Sequence, residues 1–248
     1  MMKTRRFEIT SFLLHVIAMG LMLCDHMWAT IFPNDDWLTC IGRLAFPIFA
    51  FMIAEGFRKT HDRRKYVLRV FIFALIAEVP FDLMYGSTPF YPYHQNVLWT
   101  FLIALLCMSG IEAVKKKEKI VLTVFVAAVI TLCGFVIGSI TMVDYYGAGV
   151  LAVLLFYFTN RRKATDYIIQ LIGMYILNVK MLGGYYFTIT VLGHEFEIVQ
   201  QGLALFALIP IWLYHEKQGY HSKWFQYVCY LFYPVHMLVI YVVWQLIG

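Results

Sequence analysis

Residues 119–140 have the sequence KIVLTVFVAAVITLCGFVIGSI and carry no charge after Lys119. A helix needs about 20 mainly apolar residues to cross a bilayer, because each residue adds about 1.5 Å. This stretch therefore predicts a membrane-spanning helix. The whole chain has the same character, since 61% of its 248 residues are hydrophobic and 14% are charged, against roughly 45–50% and 25% in soluble domains.

Eight further apolar segments lie on either side of this stretch. The nine predicted spans cover residues 9–31, 38–57, 66–85, 96–113, 119–140, 145–159, 165–182, 199–214 and 226–246. We therefore expect an all-α fold, a polytopic transmembrane helical bundle in one integral membrane domain over residues 1–248. The composition excludes a disordered chain, and the five separated cysteines exclude a disulfide-stapled secreted domain.

The basic residues predict the orientation, because cytoplasmic loops of membrane proteins are rich in Lys and Arg. With nine spans and a cytoplasmic N-terminus, 18 of the 20 basic residues lie on the cytoplasmic side, and only Arg43 and Lys180 do not. The C-terminus then lies outside. We expect a multi-pass protein of a bacterial inner membrane whose partner is the lipid bilayer. Charge confined to loops argues against a nucleic-acid partner.

Polar residues inside the predicted spans or at their mouths are candidate functional residues, because a charged group in a bilayer is costly unless it is paired or hydrated. In this topology the first four spans bring seven of these polar residues together in the outer half of the bundle. They are Asp25, His26, Arg43, Glu78, Asp82, His94 and Asn96. Structural alternatives stay open for several of them. These are an Asp25–Arg43 ion pair, an interfacial cap at Asp82 and a helix N-cap at Asn96.

Other features also have a structural and a functional interpretation. Glu55 and Arg58, three residues apart, are expected to form a local pair at the inner end of the second span. His236, beside Pro234, is either a packing residue or part of a polar path. Residues 183–198 are expected to form an amphipathic loop at the headgroups rather than a small hairpin. No metal site is predicted, because no His, Cys and Asp cluster has a known ligand spacing.

Four stretches resemble the TraX family of polytopic membrane proteins. They are LMLCDHMW at 21–28, IGRLAFPIFAFMIAEGFRKTHDRRKYVLR at 41–69, FALIAEVPFDLMY at 73–85 followed by HQNVLWTFLIAL at 94–105, and the C-terminal part with ALFALIPIWLYHEKQG at 204–219 and YLFYPVHMLVIY at 230–241. The resemblance implies the family's named activity, N-terminal acetylation of conjugative pilin. It also implies a fold similar to membrane acyltransferases that use cytosolic acyl-CoA.

In those acyltransferases a basic residue lies eleven positions before a histidine in the first span. The pattern falls here on His15 and His26, with His15 in place of the usual Lys or Arg. The resemblance therefore implies that His26 acts as a general base or carries the acyl group. Glu78, Asp82 or His94 is the expected residue that orients His26. Arg43 and Asn96 are expected to stabilise an oxyanion or to hold an acceptor carboxylate.

The same resemblance implies acetyl-CoA as the acyl donor. The residues expected along its path are His15, Arg58, Arg63, Arg64, Lys65 and His236. The acceptor is then an amine or hydroxyl of a peptide N-terminus, a sugar or a lipid. Two other classes stay open on the residues alone. Buried acids and histidines are also typical of a proton-coupled transporter, and the polar cluster would equally fix helix packing in a catalytically silent membrane scaffold.

Overall fold

The computed structural model describes residues 9–116, 119–191 and 193–247, together with the backbone but not the side chain of Val191. Four residues that entered the predicted topology, Lys3, Arg5, Arg6 and Lys117, lie outside the described residues. Within the described ranges the chain is all-α apart from one β-hairpin. This agrees with the predicted fold class.

Each predicted span contains helix. The α-helices are α1 (Ser11–Thr30), α2 (Asp36–Gly42), α3 (Ala45–Lys59), α4 (Arg63–Gly86), α5 (Val97–Lys115), α6 (Ile120–Ile140), α7 (Tyr146–Phe158), α8 (Ala164–Tyr175), α9 (Leu208–Leu213) and α10 (Lys223–Ile247). A π-helix (Ile176–Leu182) continues α8, and a 3-10 helix (Gln200–Ala207) precedes α9. By length and composition, five units of the described chain are able to cross a membrane: α1, α2 together with α3, α5, α6 and α10.

The second predicted span, 38–57, is not one continuous helix. It breaks at Arg43 and Leu44 between α2 and α3. Pro47 lies four residues after Arg43 and has no backbone N–H, so the Arg43 carbonyl lacks its usual helical partner. The break is therefore encoded locally, and it places Arg43 outside the regular part of either helix.

The seventh and eighth predicted spans are also irregular. In the seventh, the Asn178 side chain donates to the Met174 carbonyl oxygen at 2.9 Å and so enters the backbone ladder where the π-helix runs. In the eighth, Pro210 has no N–H for the carbonyl of Phe206, and the 3-10 helix gives way to α9 just beyond Phe206. Neither predicted span is the single α-helix that the hydropathy indicated.

The segment after the π-helix is a hairpin, which corrects the expectation of an amphipathic loop over 183–198. β1 (Tyr186–Val191) pairs antiparallel with β2 (His194–Val199). Alternation along the strands places the Phe187–Ile198 and Ile189–Phe196 pairs on one face, and the Thr188–Glu197 and Thr190–Glu195 pairs on the other. The alternation of polar and apolar residues in the sequence was therefore a strand pattern.

Helix α4 has one buried and one exposed apolar face. Its exposed side chains recur at helical spacing: Leu68, Ile72, Leu75, Ile76 and Val79 are each about half exposed. Helix α6 is exposed over most of its apolar surface as well. Contiguous apolar surface of this extent is not stable against water. These faces are suited to lipid.

The core lies between α3, α5 and α7. Ile48, Phe57, Leu105, Val150 and Leu154 are buried there and belong to one apolar cluster. The helices around this centre leave their outer faces exposed. Residues that point from the outer helices toward the centre are therefore candidates for a shared site.

Ion pairs gather several predicted cytoplasmic loops at one end of the bundle. Arg58 pairs with Glu216 at 3.0 Å, and Arg63 pairs with Glu112 at 3.4 Å. The chain also enters α1 at this end, where it hydrogen-bonds to the segment after α9. This end, defined by Arg58, Arg63, Glu112 and Glu216, is termed the basic end.

The other end of the bundle is termed the far end and contains segments 87–96 and 141–145. Two backbone hydrogen bonds join these segments: Gln95 N–H donates to the Met142 carbonyl at 3.0 Å, and Asp144 N–H donates to the Gln95 carbonyl at 2.9 Å. Helix α1 ends here, next to α2. The far end therefore collects the loops that follow odd-numbered predicted spans.

Candidate functional site

His26 lies near the far end of α1 and bonds to a histidine of α10. Its Nδ1 is 2.8 Å from Nε2 of His236, and the two imidazole planes are within 9° of parallel. Both residues are 7% exposed. The expectation that Glu78, Asp82 or His94 orients His26 is therefore corrected, because the partner of His26 is His236.

Aromatic rings enclose this histidine pair. Tyr85 of α4 and Tyr233 of α10 each have a ring centre 6.4 Å from that of His26. The His236 ring stacks on Phe232 at 4.6 Å, and its Nδ1 is 2.6 Å from the Phe232 carbonyl oxygen. The pair is thus held by α1, α4 and α10, in a setting that excludes most water.

Asp25, the neighbour of His26, forms the predicted ion pair with Arg43. The carboxylate and guanidinium are 2.5 Å apart, with the two side chains 14% and 20% exposed. Thr39 completes a triangle, since it donates to Asp25 at 2.8 Å and accepts from Arg43 at 2.9 Å. Gln201 accepts from the other terminal nitrogen of Arg43 at 3.3 Å. The structural alternative for Asp25 and Arg43 is therefore confirmed.

Gly42 permits the close approach of α2 to α1 that this ion pair needs. A Cβ atom at position 42 would lie 2.5 Å from Cβ of Asp25 and 2.9 Å from its Cα. Separations this short are not found between real carbon atoms, so a side chain at position 42 would push α2 away from α1. The glycine thus brings the break in the second predicted span against Asp25.

His94 lies in the segment before α5 and pairs with Asp144 across the far end. Its Nε2 is 3.4 Å from Oδ1 of Asp144. Burial alone lowers the pKa of His94, but the bond to Asp144 and the nearby carboxylates outweigh burial, so the pKa of His94 is raised. The pair is thus stronger at a pH where His94 is protonated.

The stability that His94 contributes is expected to decline as the pH rises. Because its folded pKa is raised, the contribution is fully present below the ordinary histidine value of about 6.5 and is lost as the pH passes the folded pKa. The pair is partly exposed, so its value stays below about 1 kcal/mol. Thermal unfolding in nanodiscs checks this, with His94→Gln as the comparison. The melting temperature of the wild type should exceed that of the variant at pH 5.5 and approach it at pH 8.5, and an advantage that grows with pH would contradict the assignment.

Glu78 and Asn96 lie together but serve the junction of α4 with α5. The Asn96 amide donates to Glu78 and to the Ala74 carbonyl oxygen, the latter at 2.9 Å, and its Oδ1 caps α5 by accepting from Leu98 N–H at 3.0 Å. Trp99 donates to Glu78 at 2.8 Å. The predicted N-cap role of Asn96 is confirmed, and Glu78 has partners on α5.

Asp82 is 1% exposed and accepts from Tyr91 N–H at 2.9 Å through Oδ2. This bond holds the segment before α5 against α4, as an interfacial cap would. Its Oδ1 is buried and has no hydrogen-bond partner among the described residues. Asp82 faces the loop of His94 rather than His26.

A cavity of about 440 Å³ runs into the bundle from the basic end. Its lining on α1 extends from Ser11 past His15 to Met22, a rise of about 16 Å along the helix. Val97 and Tyr233 line it at depth. Met22 is one helical turn before His26, and the Tyr233 ring contacts His26. The cavity therefore leads from the basic end toward the histidine pair.

The cations at the mouth of this cavity differ from those that the sequence indicated. Lys59 and Arg69 line it, whereas the predicted donor-binding cations at the end of α3 and the start of α4 do not. Those residues are Arg58, Arg63, Arg64 and Lys65. Arg58 and Arg63 pair with acids of the basic end, and Lys65 pairs with Asp62 at 3.2 Å. Glu55 also pairs with Arg58, as expected.

Arg69 has no carboxylate partner among the described residues. Its guanidinium lies 5.9 Å from the Tyr66 ring and 5.8 Å from the Tyr230 ring, and it is exposed at the cavity mouth. His15, which was predicted along the donor path, lines the same cavity. Neither His236 nor His26 lines it, and the lining residues nearest to them along α1 and α10 are Met22 and Tyr233.

Sequence reasoning missed Asp144 and Tyr85 at the far end. Asp144 is a single acid in the short segment between two predicted spans, so a search centred on the spans passed over it. Tyr85 carried no distinctive signal, because tyrosines are common at membrane interfaces. In the structure its ring lies between His26 and His94, with its centre 5.6 Å from that of His94. It connects the two histidine groups of the far end.

The long apolar helices and exposed apolar faces define a class of protein, a multi-span helical membrane protein with a polar site between its helices. A cavity enters the bundle from its basic end. The chain belongs to the TraX family, because the profile described as TraX protein matches residues 11–244. The predicted resemblance to this family is thereby confirmed.

Two further comparisons define what the chain is similar to. It is 27% identical over 251 residues to the probable fimbrial assembly protein FimC, serogroup H1, of Dichelobacter nodosus, and the alignment covers 96% of each chain. No solved structure matches the chain. The similarity to FimC therefore extends over the whole helical bundle.

Proposed function

We propose that this TraX family member is a membrane acyltransferase that moves an acetyl group from cytosolic acetyl-CoA to an amine or hydroxyl acceptor beyond the membrane. The observation that carries the proposal is the cavity, which connects the basic end with the surroundings of His26. Its volume of about 440 Å³ falls in the range of ligand clefts, roughly 300–1,000 Å³.

The proposal includes the predicted topology of nine crossings in a bacterial inner membrane, with the basic end in the cytoplasm. The gathering of Arg58, Arg63 and Arg162 at that end supports this orientation. Helix α4 is long enough to cross, but Arg69, Glu78 and Asp82 lower its hydropathy. Its apolar exposed face supports a lipid-facing position nevertheless.

Acetyl-CoA combines a multiply charged phosphate end with a slender arm that carries the thioester. The mouth of the cavity suits the phosphates, because Arg69 lies there without a carboxylate partner among the described residues, next to Lys59, which pairs with Glu55 at 2.7 Å. The apolar walls deeper in the bundle, such as Met22 and Phe101, suit the arm. The residues present therefore fit the donor that the family resemblance implied.

His26 is proposed to act as the general base just beyond the inner end of this cavity, next to Tyr233, which lines it. As the acceptor nitrogen or oxygen bonds to the acetyl carbon, His26 takes the acceptor's proton. The carbon–sulfur bond breaks, and the proton passes to the departing sulfur. A neutral imidazole suits this task near neutral pH, because it both accepts and returns a proton. Arg43, which is paired with the neighbouring Asp25, is proposed to stabilise the developing oxyanion.

The acceptor is proposed to be a component of a surface fibre or a molecule handled with it. This rests on the printed name of the relative, a probable fimbrial assembly protein. A peptide N-terminus, a sugar and a lipid each present an amine or hydroxyl that the chemistry accepts. Membrane extract supplies all three classes and is therefore the starting acceptor for assays.

The donor site is tested by replacing Arg69 with glutamine. In nanodiscs with membrane extract as acceptor, Arg69→Gln is expected to raise the KM for acetyl-CoA about tenfold and to leave kcat within about twofold, because a charge-assisted contact to the donor is lost. Free CoA release is the measurement. Arg161→Gln is the matched control, since Arg161 is an exposed cation of the same end that does not line the cavity.

Two outcomes would overturn the proposal. Purified, folded wild type that releases no CoA in the presence of any acceptor fraction would exclude acetyl transfer. Equal changes of KM in Arg69→Gln and Arg161→Gln would show that the cavity mouth is not the donor site, and that the general charge of this end produces the effect.

A further inference from the structure

The contacts of the two histidines determine which ring nitrogens carry protons. Nδ1 of His236 lies 2.6 Å from the Phe232 carbonyl oxygen, which only accepts hydrogen bonds. His236 Nδ1 must therefore carry the proton, and in neutral His236 the Nε2 atom is an acceptor. His26 Nδ1, 2.8 Å away, must then donate to it. Neutral His26 is thereby left with an unprotonated Nε2 atom.

We infer that His236 is a positioning residue that holds His26 in its Nδ1–H tautomer, so that Nε2 of His26 is the atom that accepts the acceptor's proton. This inference rests on the proposed acyl transfer and names its reacting atom. The carboxylates of the site do not perform the positioning role, because Asp25 is bonded to Arg43 and Glu78 to Asn96. The residue that orients His26 is therefore the neutral imidazole of His236 on α10.

The arrangement keeps the same hydrogen bond in both protonation states of His26. When Nε2 takes the proton as the acceptor bonds to the acetyl carbon, Nδ1 of His26 still donates to Nε2 of His236. When the carbon–sulfur bond breaks and Nε2 returns the proton to the sulfur, the pair is unchanged. The His26 ring, fixed by Tyr85 and Tyr233, needs no flip during the cycle.

Two substitutions of His236 separate positioning from packing. His236→Gln keeps an acceptor oxygen within reach of Nδ1 of His26, and His236→Phe keeps a planar ring without an acceptor. CoA release is expected to remain within about tenfold of wild type in the glutamine variant and to fall by about 10²-fold or more in the phenylalanine variant, within the range of about 10² to 10⁴ that a correctly protonated general base contributes. Thermal unfolding shows whether each variant is folded.

Nitrogen NMR of ¹⁵N-histidine-labelled protein in nanodiscs gives a readout that packing alone does not move. The His26 signals are assigned by their loss in His26→Asn. We expect the proton on Nδ1 in the wild type and in His236→Gln, and a shift toward the Nε2–H tautomer in His236→Phe. This readout does not depend on turnover.

The failure of this inference is distinct from the failure of the proposed function. A proton on Nε2 of His26 in the wild type would overturn the positioning role, whatever the turnover. Full activity in His236→Phe would overturn it as well. If the tautomers are as expected but the wild type transfers no acetyl group to any acceptor, the proposed acyl transfer is wrong, while His236 still sets the tautomer of His26.

Discussion

Replacing His26 by alanine is expected to lower acceptor-dependent CoA release by about 10³-fold. General acid–base catalysis by a positioned side chain contributes about 10² to 10⁴, and the alanine variant also leaves His236 without its partner. Binding of acetyl-CoA is expected to survive, because Lys59 and Arg69 line the cavity and His26 does not. Steady-state CoA release and equilibrium binding of acetyl-CoA are the two measurements.

A second substitution separates loss of the base from loss of packing, since His26 is 7% exposed and its removal leaves a hole. His26→Asn keeps an N–H donor close to the position of Nδ1, so the bond to His236 is retained while the base is lost. We expect it to fold like the wild type and to be as inactive as His26→Ala. His61→Ala is the matched histidine control, since His61 is exposed between α3 and α4.

Activity within tenfold of the wild type in both His26 variants would remove His26 from the reaction. If the wild type consumes no acetyl-CoA but moves a solute or a proton across the membrane of vesicles, the protein is a transporter and not an acyltransferase. If neither activity is found and both variants support the wild-type phenotype, the polar cluster only fixes helix packing. The three classes therefore give different results in one set of samples.

The positions of the helices were predictable because each follows from local sequence. A run of about 20 apolar residues is itself the signal for a span. The break before α3 was equally local, since Pro47 removes one backbone donor. The hairpin was visible as period-two alternation around Ile189 and Phe196. The error there lay in giving more weight to an interfacial loop than to the alternation.

The partner of His26 was not predictable in the same way. His236 is 210 residues away along the chain, and no periodicity relates α1 to α10. The pairing depends on how α10 packs on α4 and α1, which is a property of the assembled bundle. The pairing of Asp25 with Arg43 was easier to predict, because the two residues lie on consecutive predicted spans at the same depth. Opposite charges at equal depth in a bilayer have few other partners.

The largely buried Asp25–Arg43 pair, with side chains 14% and 20% exposed, gives the largest expected effect on stability. Asp25→Asn keeps the size and one acceptor oxygen of the side chain but leaves the Arg43 charge without a counter-ion. Removing one partner of a buried ion pair costs about 3 kcal/mol or more, because the remaining charge stays desolvated. The free energy of unfolding in mixed micelles, followed by circular dichroism, is the measurement. Lys65→Gln, in an exposed pair with Asp62, is the matched control and is expected to cost less than about 1 kcal/mol.

A double-mutant cycle decides whether the loss comes from the pair itself. Arg43→Met alone is expected to cost a similar amount, because Asp25 then keeps only the Thr39 bond. The double variant Asp25→Asn/Arg43→Met leaves no buried charge, so its cost should be smaller than the sum of the single costs by about 2 kcal/mol or more. Additive costs would mean that each side chain is stabilised by its other contacts. Because Arg43 is also the proposed oxyanion donor, the double variant should lose less stability than the two single costs add up to but should regain no acetyl transfer, and this difference separates the structural role of the pair from its catalytic one.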